Sequence, residues 1–265
     1  VAVPRSEFER FGLVGDFANP YLTYDTKVEP NTVRALAEIY KNGHMERGAR
    51  PVNWCLDCGS SLAEAEVEYA DKKSSSIDVR FSVVALAAFN AAVGTSVTEP
   101  VSVVIWTTTP WTLPANEAVS VHPEFDYSLV EFNGEQLVVA TDLVESLSKR
   151  WKGELTIKAT FKGAQLENLL LKHPFYDKQV PMILGEHVTL EGGTGCVHTA
   201  PSHGDDDYKV GLKYNLPVVN YVLGNGDYSS EVPLFAGQNI TTVEANIIET
   251  LKEHNALQFL SKIEH

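Results

Sequence analysis

Tyr127-Ser128-Leu129-Val130-Glu131-Phe132-Asn133-Gly134-Glu135-Gln136-Leu137-Val138-Val139-Ala140 sets two apolar, strand-forming runs on either side of an Asn-Gly pair. Asn-Gly readily takes the two positive φ values of a type I′ turn, so the stretch predicts a two-residue β-hairpin. A β-rich texture extends outward from it. Upstream, Ile77-Asp78-Val79-Arg80-Phe81 alternates and Val101 to Trp106 is rich in β-branched residues. Downstream, strands are expected at Leu155 to Phe161, Val180 to Leu184, His187 to Leu190, Cys196 to Thr199 and Pro217 to Val222.

Helical signals are interleaved with these strands. Thr141-Asp142 opens a helix carrying Leu143, Val144 and Leu147, and the chain after Gly204 turns helical through Tyr208, Val210 and Leu212. Thr241-x-x-Glu244 has the form of a capping box before Val243, Ile247, Ile248 and Leu251, with Asn255 as the stop. Residues 1–76 read as a helical, loop-rich connector. Within it Val33, Leu36, Ala37 and Tyr40 fall on one helical face before Gly43, and the polar Lys72-Lys73-Ser74-Ser75-Ser76 marks its end. Residues 77–225 form the expected core and 226–265 a closing strand and helix. The expected fold is mixed α/β, a mostly antiparallel β-barrel with helices packed outside it.

Composition narrows the function. With 265 residues, 44% of them hydrophobic, the chain can bury a sizeable core. It has no apolar run near the ~20 residues of a membrane span and no signal-peptide pattern at Val1-Ala2-Val3-Pro4-Arg5; a cytoplasmic, monomeric protein is expected. The 35 acidic residues outweigh 21 basic ones, a net charge of −14 that argues against strong autonomous binding to nucleic acid. Cys55, Cys58 and Cys196 are too few for a disulfide framework. Cys55-x-x-Cys58 has metal-ligand spacing but is an incomplete zinc half-site, since a structural zinc takes four ligands; two unligated thiols in a turn is the simpler reading, and no other cofactor is expected.

Two segments far apart concentrate polar chemistry. In Trp106-Thr107-Thr108-Thr109-Pro110-Trp111-Thr112-Leu113-Pro114-Ala115-Asn116, a strand should stop where Pro110 removes a backbone donor, leaving hydroxyls at its exit. Threonines are also ordinary strand residues, and on their own carry no more than that. In Gly192-Gly193-Thr194-Gly195-Cys196-Val197-His198-Thr199-Ala200-Pro201-Ser202-His203-Gly204-Asp205-Asp206-Asp207-Tyr208, glycines allow close backbone approach before an imidazole at a strand end. The three aspartates then sit where a helix begins, so helix capping accounts for Asp205 and Asp206 as readily as function does.

Taken together and in this order, the two segments resemble the editing domain of bacterial isoleucyl-tRNA synthetases, and the resemblance covers nearly the whole chain. Pro51-Val52-Asn53-Trp54-Cys55-Leu56-Asp57-Cys58 and Ala63-Glu64-Ala65-Glu66-Val67-Glu68-Tyr69 look like the stretch leading from the catalytic core of such enzymes into the insertion. The His-x-Gly-His and Lys-Met-Ser-Lys-Ser motifs of class I synthetases do not occur in the sequence, so an excised insertion without amino-acid activation is expected. Departures from the family pattern are small: Cys196 stands where relatives often carry valine or alanine, and Ser202 where they often carry glycine.

The resemblance implies roles. Thr107 and Thr108 would hydrogen-bond the aminoacyl ester and terminal adenosine, supported by Trp106 and Thr109. Thr112 and His198 would wall the side-chain pocket, and Asn116 would fix the loop or a water. Asp207, expected to face solvent, would pair with the substrate's α-ammonium, with Asp206 beside it. The implied reaction is hydrolysis of the ester joining valine to tRNA(Ile), and of valyl-adenylate; the implied partners are the 3′ end of the aminoacylated tRNA and the rest of a synthetase chain. One methylene is worth only about 1–3 kcal/mol in a hydrophobic pocket, a magnitude taken from this synthetase family itself, so a second sieve is needed to remove valine. Ser202 beside His203 makes a poor triad, because adjacent residues seldom turn toward each other. A water oriented by the substrate's ribose hydroxyl is the expected nucleophile. A binding module that captures aminoacyl-tRNA ends, a scaffold docking through the cysteine pair, and a valyl- or leucyl-type editing domain are the competing readings.

Overall fold

The computed structural model describes residues 2–264, with the side chains of Ala2 and Val3 aside. It separates into two compact units, residues 1–49 and 50–265. The first holds helices α1 (Ala2–Arg10) and α2 (Glu29–Lys41). Pro30 stands in the first turn of α2, where its missing N–H costs nothing, and Gly43 at φ +75° follows its end. The apolar face read from the sequence is present, yet none of the α2 residues is buried.

The second unit is built on two open sheets. In chain order its elements are β1 (Trp54–Cys55), β2 (Ser60–Ser61), β3 (Lys73–Ser82), α3 (Leu86–Val93), β4 (Val101–Thr107), β5 (Ala118–Val121), β6 (Asp126–Phe132), β7 (Glu135–Ala140), α4 (Val144–Trp151), β8 (Thr156–Lys162), β9 (Leu170–Lys172), β10 (Gln179–Leu184), β11 (Cys196–Thr199), α5 (Asp205–Lys213), α6 (Glu244–Glu253) and β12 (Leu257–Glu264). The larger sheet runs β12-β3-β4-β7-β6-β8 and the smaller β11-β5-β10-β9, with β1 and β2 a separate hairpin. Pairing is antiparallel except for β4 with β7 and β5 with β10. The mixed α/β, mainly antiparallel character matches expectation, but the barrel does not close. The six-stranded ladder ends at β8, whose Ile157 and lysines are exposed; Lys158 pairs with Glu131 at 2.7 Å and Lys162 with Asp126 at 2.9 Å. A charged edge of this kind resists further strand pairing. A bridge between Val83 and Leu171 and the packing of β11 beside β4 bring the two sheets together.

The predicted hairpin is present, with Asn133 at φ 50° and Gly134 at φ 84° between Phe132 and Glu135. Its apolar residues Leu129, Leu137 and Val138 join Ile77, Val79, Phe81, Val103 and Ile105 in one core, closed by Leu147 of α4 and by Ile247 and Leu251 of α6.

Four local expectations are corrected. Lys73 to Ser76 is strand rather than linker, because β12, the expected closing strand, pairs along it from Glu264 opposite Lys73 to Ser261 opposite Ser76. His187 to Leu190 forms no strand, and of Pro217 to Val222 only Val222 makes an isolated bridge, to Tyr228; both runs lack a ladder partner. Nor does the capping box form. The Thr241 hydroxyl donates to Asn239 Oδ1 at 2.7 Å, while the Glu244 carboxylate accepts from Ser75 across the sheet.

Candidate functional site

Sheet pairing explains how the two polar segments meet. The first leaves β4 at Thr107, crosses a 3₁₀ turn at Pro110–Ala115 and enters β5. β5 lies antiparallel to β11, with His198 opposite Val119 and Thr199 opposite Ala118. The Glu117 N–H donates to the Thr199 carbonyl at 2.9 Å and continues the ladder up to Asn116.

The threonine run divides by burial. Thr107 is buried; its hydroxyl accepts from the Thr109 N–H at 3.1 Å and lies 3.2 Å from the Thr109 hydroxyl. Thr108 is half-buried and its hydroxyl has no partner among the described residues, while Thr109 is exposed. The Trp106 indole donates to Ser76 Oγ at 2.7 Å. Its ring sits against Gly193, where a Cβ would come within 3.1 Å of it and where φ is +75°. Gly195, also at φ +75°, presses against Ala140. These two glycines let the second segment approach the first.

Thr112 and His198 touch, with Thr112 Oγ1 and His198 Nε2 2.8 Å apart. Thr112 also donates to the Thr109 carbonyl at 2.9 Å. Asn116 is fully buried; its Nδ2 donates to the Ala118 carbonyl at 2.9 Å and lies 3.4 Å from His198 Nδ1. Its Oδ1 has no partner among the described residues. Burial pushes His198 down to about 4, with nearby His203 adding to the effect, so the imidazole is neutral near pH 7.

Asp207 differs from expectation. It is half-buried rather than solvent-facing, and one carboxylate oxygen accepts the Ala200 N–H at 3.0 Å. Burial raises its carboxyl above the usual range, opposed by the Ala200 N–H and by His187, with Asp206 adding to the rise. The other oxygen carries no hydrogen bond among the described residues. Asp206 is exposed and lies 3.7 Å from Lys209, which pairs with Asp205 at 2.6 Å. Those two acids act as a helix-start pair. Ser202 Oγ is buried without a partner, and the His203 ring meets Trp111 edge-on at 5.1 Å. No hydrogen bond joins Ser202 to His203 among the described residues, and burial pushes His203 down to about 4.

Two supporting side chains were missed in the sequence. Lys178 reaches the Asn116 carbonyl at 2.8 Å and the buried Glu117 carboxylate at 2.7 Å. Buried His173 donates from Nε2 to the Leu113 carbonyl at 3.0 Å, accepts from Phe175 and Tyr176 N–H groups at Nδ1, and stacks on Tyr176. Neither carried a local signal, because both depend on where β9 and β10 place the intervening loop. Behind Trp106, the Asp78 carboxylate receives Arg150 at 2.8 and 2.9 Å and the Trp151 indole at 2.6 Å. A cavity of about 570 Å³ lined by Arg80, Ser102, Gln136, Lys172 and His254 contains no residue of either segment.

Cys55 and Cys58 flank the turn between β1 and β2, where the Cys58 N–H donates to Cys55 Sγ at 3.2 Å and draws that thiol below its ordinary value. No group of three or more His, Cys, Asp or Glu side chains among the described residues could hold a metal. The pair therefore offers two of the four ligands a zinc would need. No helix among those residues is long and apolar enough to cross a membrane.

Residues 1–256 match the family described as tRNA synthetases class I (I, L, M and V), and the chain belongs to it. Over its whole length it is 50% identical to the isoleucine–tRNA ligase of Legionella pneumophila strain Paris, of which it covers 29%. The corresponding ligase of Ruthia magnifica subsp. Calyptogena magnifica is 53% identical over 96% of the chain and 27% of that protein. The chain thus spans about three-tenths of these relatives. Its fold is shared with the crystal structure of GlLeuRS-CP1, with TM-score 0.57, 18% identity, 70% of this chain and 98% of that one. It is also shared with the editing domain of the P. knowlesi cytosolic leucyl-tRNA synthetase, with TM-score 0.56, 12% identity, 72% of this chain and 97% of that one.

Proposed function

We propose that the chain is the editing module of an isoleucine-specific class I synthetase and hydrolyses the ester joining valine to tRNA(Ile), as well as valyl-adenylate. The observation that carries this reading is the meeting of the two segments at the β5–β11 ladder, with Thr112 against His198 and the Thr108 hydroxyl left unpartnered beside them.

The chemistry asks little of the protein. An aminoacyl ester is already activated, so holding it and a water in place accounts for much of the rate. Thr108 is free to hydrogen-bond the ester or the terminal ribose, and Thr107 holds the backbone of the run. The unoccupied oxygen of Asp207 receives the α-ammonium; burial raises this carboxyl above its ordinary value, and an incoming cation would favour the carboxylate and oppose that rise. Thr112 and the neutral His198 wall the side-chain space. The attacking water is oriented by the ribose hydroxyl of the substrate.

A net charge of −14 fits a module that takes only the 3′ end of a tRNA held elsewhere by the parent synthetase. The module is monomeric and cytoplasmic in this reading, and Cys55 and Cys58 join zinc only with two further ligands from outside the described residues.

The test follows ester loss from Val-tRNA(Ile) and Ile-tRNA(Ile) with the purified chain. Accelerated loss of valine, little loss of isoleucine, and abolition by Asp207→Asn are expected. Binding of the charged end without hydrolysis would replace the reading with a capture module, and equal hydrolysis of both esters would remove the assignment to isoleucine editing.

A further inference from the structure

We infer that Asn116 is a positioning residue that holds His198 in its Nε2–H tautomer, so that the imidazole serves the site as a hydrogen-bond donor and not as a base. For its functional meaning this rests on the editing reading; the tautomer itself does not.

The argument is a count of hydrogens along one chain of contacts. The Ala118 carbonyl can only accept, so the Asn116 atom 2.9 Å from it must be Nδ2. The same amide nitrogen lies 3.4 Å from His198 Nδ1, the longest link, and presents its second hydrogen there. Nδ1 must then be the unprotonated nitrogen. A neutral imidazole with a bare Nδ1 carries its hydrogen on Nε2, which is 2.8 Å from the Thr112 hydroxyl. The hydroxyl has one hydrogen, and it is given to the Thr109 carbonyl at 2.9 Å. Every donor and acceptor in the run is consistent.

The reverse arrangement fails at two places. Turning the Asn116 amide over to accept from an Nδ1–H would set its oxygen 2.9 Å from the Ala118 carbonyl oxygen. It would also oblige the Thr112 hydroxyl to donate to Nε2, stripping the Thr109 carbonyl of its donor. The geometry accepts instead a single buried orphan, Asn116 Oδ1.

The consequence for the site is directional. Both nitrogens of His198 are committed, so neither can take a proton from water. Through Thr112 the imidazole fixes the carbonyl of Thr109 at the end of the threonine run. Asn116, remote from any reacting atom in this scheme, sets that polarity.

Long-range proton–nitrogen correlation NMR on the ¹⁵N-histidine-labelled chain tests the inference, with the His198 signal assigned from its loss in His198→Gln. Wild type should show His198 as a single Nε2–H tautomer at pH 7. Thr112→Val should keep that tautomer, because Asn116 still faces Nδ1; Asn116→Ala should lose it and show averaging between the two forms. His173, whose Nε2 donates to a backbone carbonyl, serves as an internal control that should stay Nε2–H in every variant. An Nδ1–H pattern in wild type would overturn the assignment, and an unchanged Nε2–H pattern in Asn116→Ala would remove Asn116 as its cause. In ester hydrolysis, Asn116→Ala should lower kcat with little change in KM. If the chain hydrolyses no aminoacyl ester, the spectra still decide the tautomer and only the editing reading falls.

Discussion

Replacing Thr112 with valine removes one hydroxyl while keeping the shape of a buried side chain, so its cost can be worked from the bonds lost. Thr112 is 5% exposed, donates to Thr109 at 2.9 Å and accepts from His198 at 2.8 Å. Thr109 is exposed, so water can replace the bond to its carbonyl at little net cost. The His198 N–H cannot be rescued that way, since the residue is 7% exposed. A buried donor left without an acceptor costs about 1–3 kcal/mol. Taking about 2 kcal/mol, and roughly 2–4 °C per kcal/mol for a chain of this size, Thr112→Val should lower Tm by roughly 4–8 °C. Urea unfolding should give a lower midpoint with an unchanged slope, the sign of a native-state loss. Thr112→Ser, which keeps the hydroxyl, should recover most of the difference. A valine variant within about 0.5 kcal/mol of wild type, or a serine variant as damaged as the valine one, would refute the hydrogen-bond account.

If His198 walls the side-chain space as proposed, trimming it to alanine should make the ratio of valine to isoleucine ester hydrolysis fall by roughly 10–200-fold, the scale of one methylene; an unchanged ratio would make His198 structural only. Acid should destabilise the fold through its buried imidazoles. His198 and His173 stand at about 4 and about 3 against an ordinary 6.5, so the unfolded chain binds the extra protons. Their contribution is complete above pH ~6.5 and lost as pH falls, by about 2 kcal/mol per imidazole at pH 5. Asp78 and Asp207, raised above 3.8, have the opposite sign and offset part of this only near and below their own titration. Urea midpoints at pH 7 and pH 5 measure the balance, and equal midpoints would contradict it. Gly195→Ala combines φ +75° with a Cβ 2.3 Å from that of Ala140 and should cost about 3–5 kcal/mol. Gly192→Ala, with nothing within 4 Å, should stay within about 0.5 kcal/mol on the same urea curves.

What could be read in advance was what depends on near neighbours. Asn133-Gly134 fixes its hairpin by its own backbone preference, and Leu143, Leu147, Ile247 and Leu251 fall at helical spacing whatever lies opposite them. β5 was hidden because its four residues follow directly on the turn, and its status as a strand comes from β10 and β11 on either side. β12 turned Lys73 to Ser76 from an apparent linker into strand, using a partner almost two hundred residues away. The site divides in the same way. Thr107, Thr108, Thr112, Asn116, His198 and Asp207 were named from their motifs, and five of them lie in or beside the β4–β5–β11 junction as strand pairing requires. The burial of Asp207, the displacement of Asp206 toward Lys209, and the bracing by Lys178 and His173 were not legible, because each is decided by a fold-level approach of loops.

β5 is bonded on one side to β11 and on the other to β10, in opposite senses, and all four of its residues are buried. A strand held in this way moves only in whole residues, and a single step would turn every side chain to the other face. The gap between the 3₁₀ turn and His198 is therefore set as teeth set a gear, in discrete positions. Evolution or engineering of a different aperture has no continuous backbone adjustment to work with here. If Thr112 and His198 wall the aperture as proposed, it must proceed by exchanging those side chains, and substrate preference should change in jumps, with few intermediates of graded selectivity.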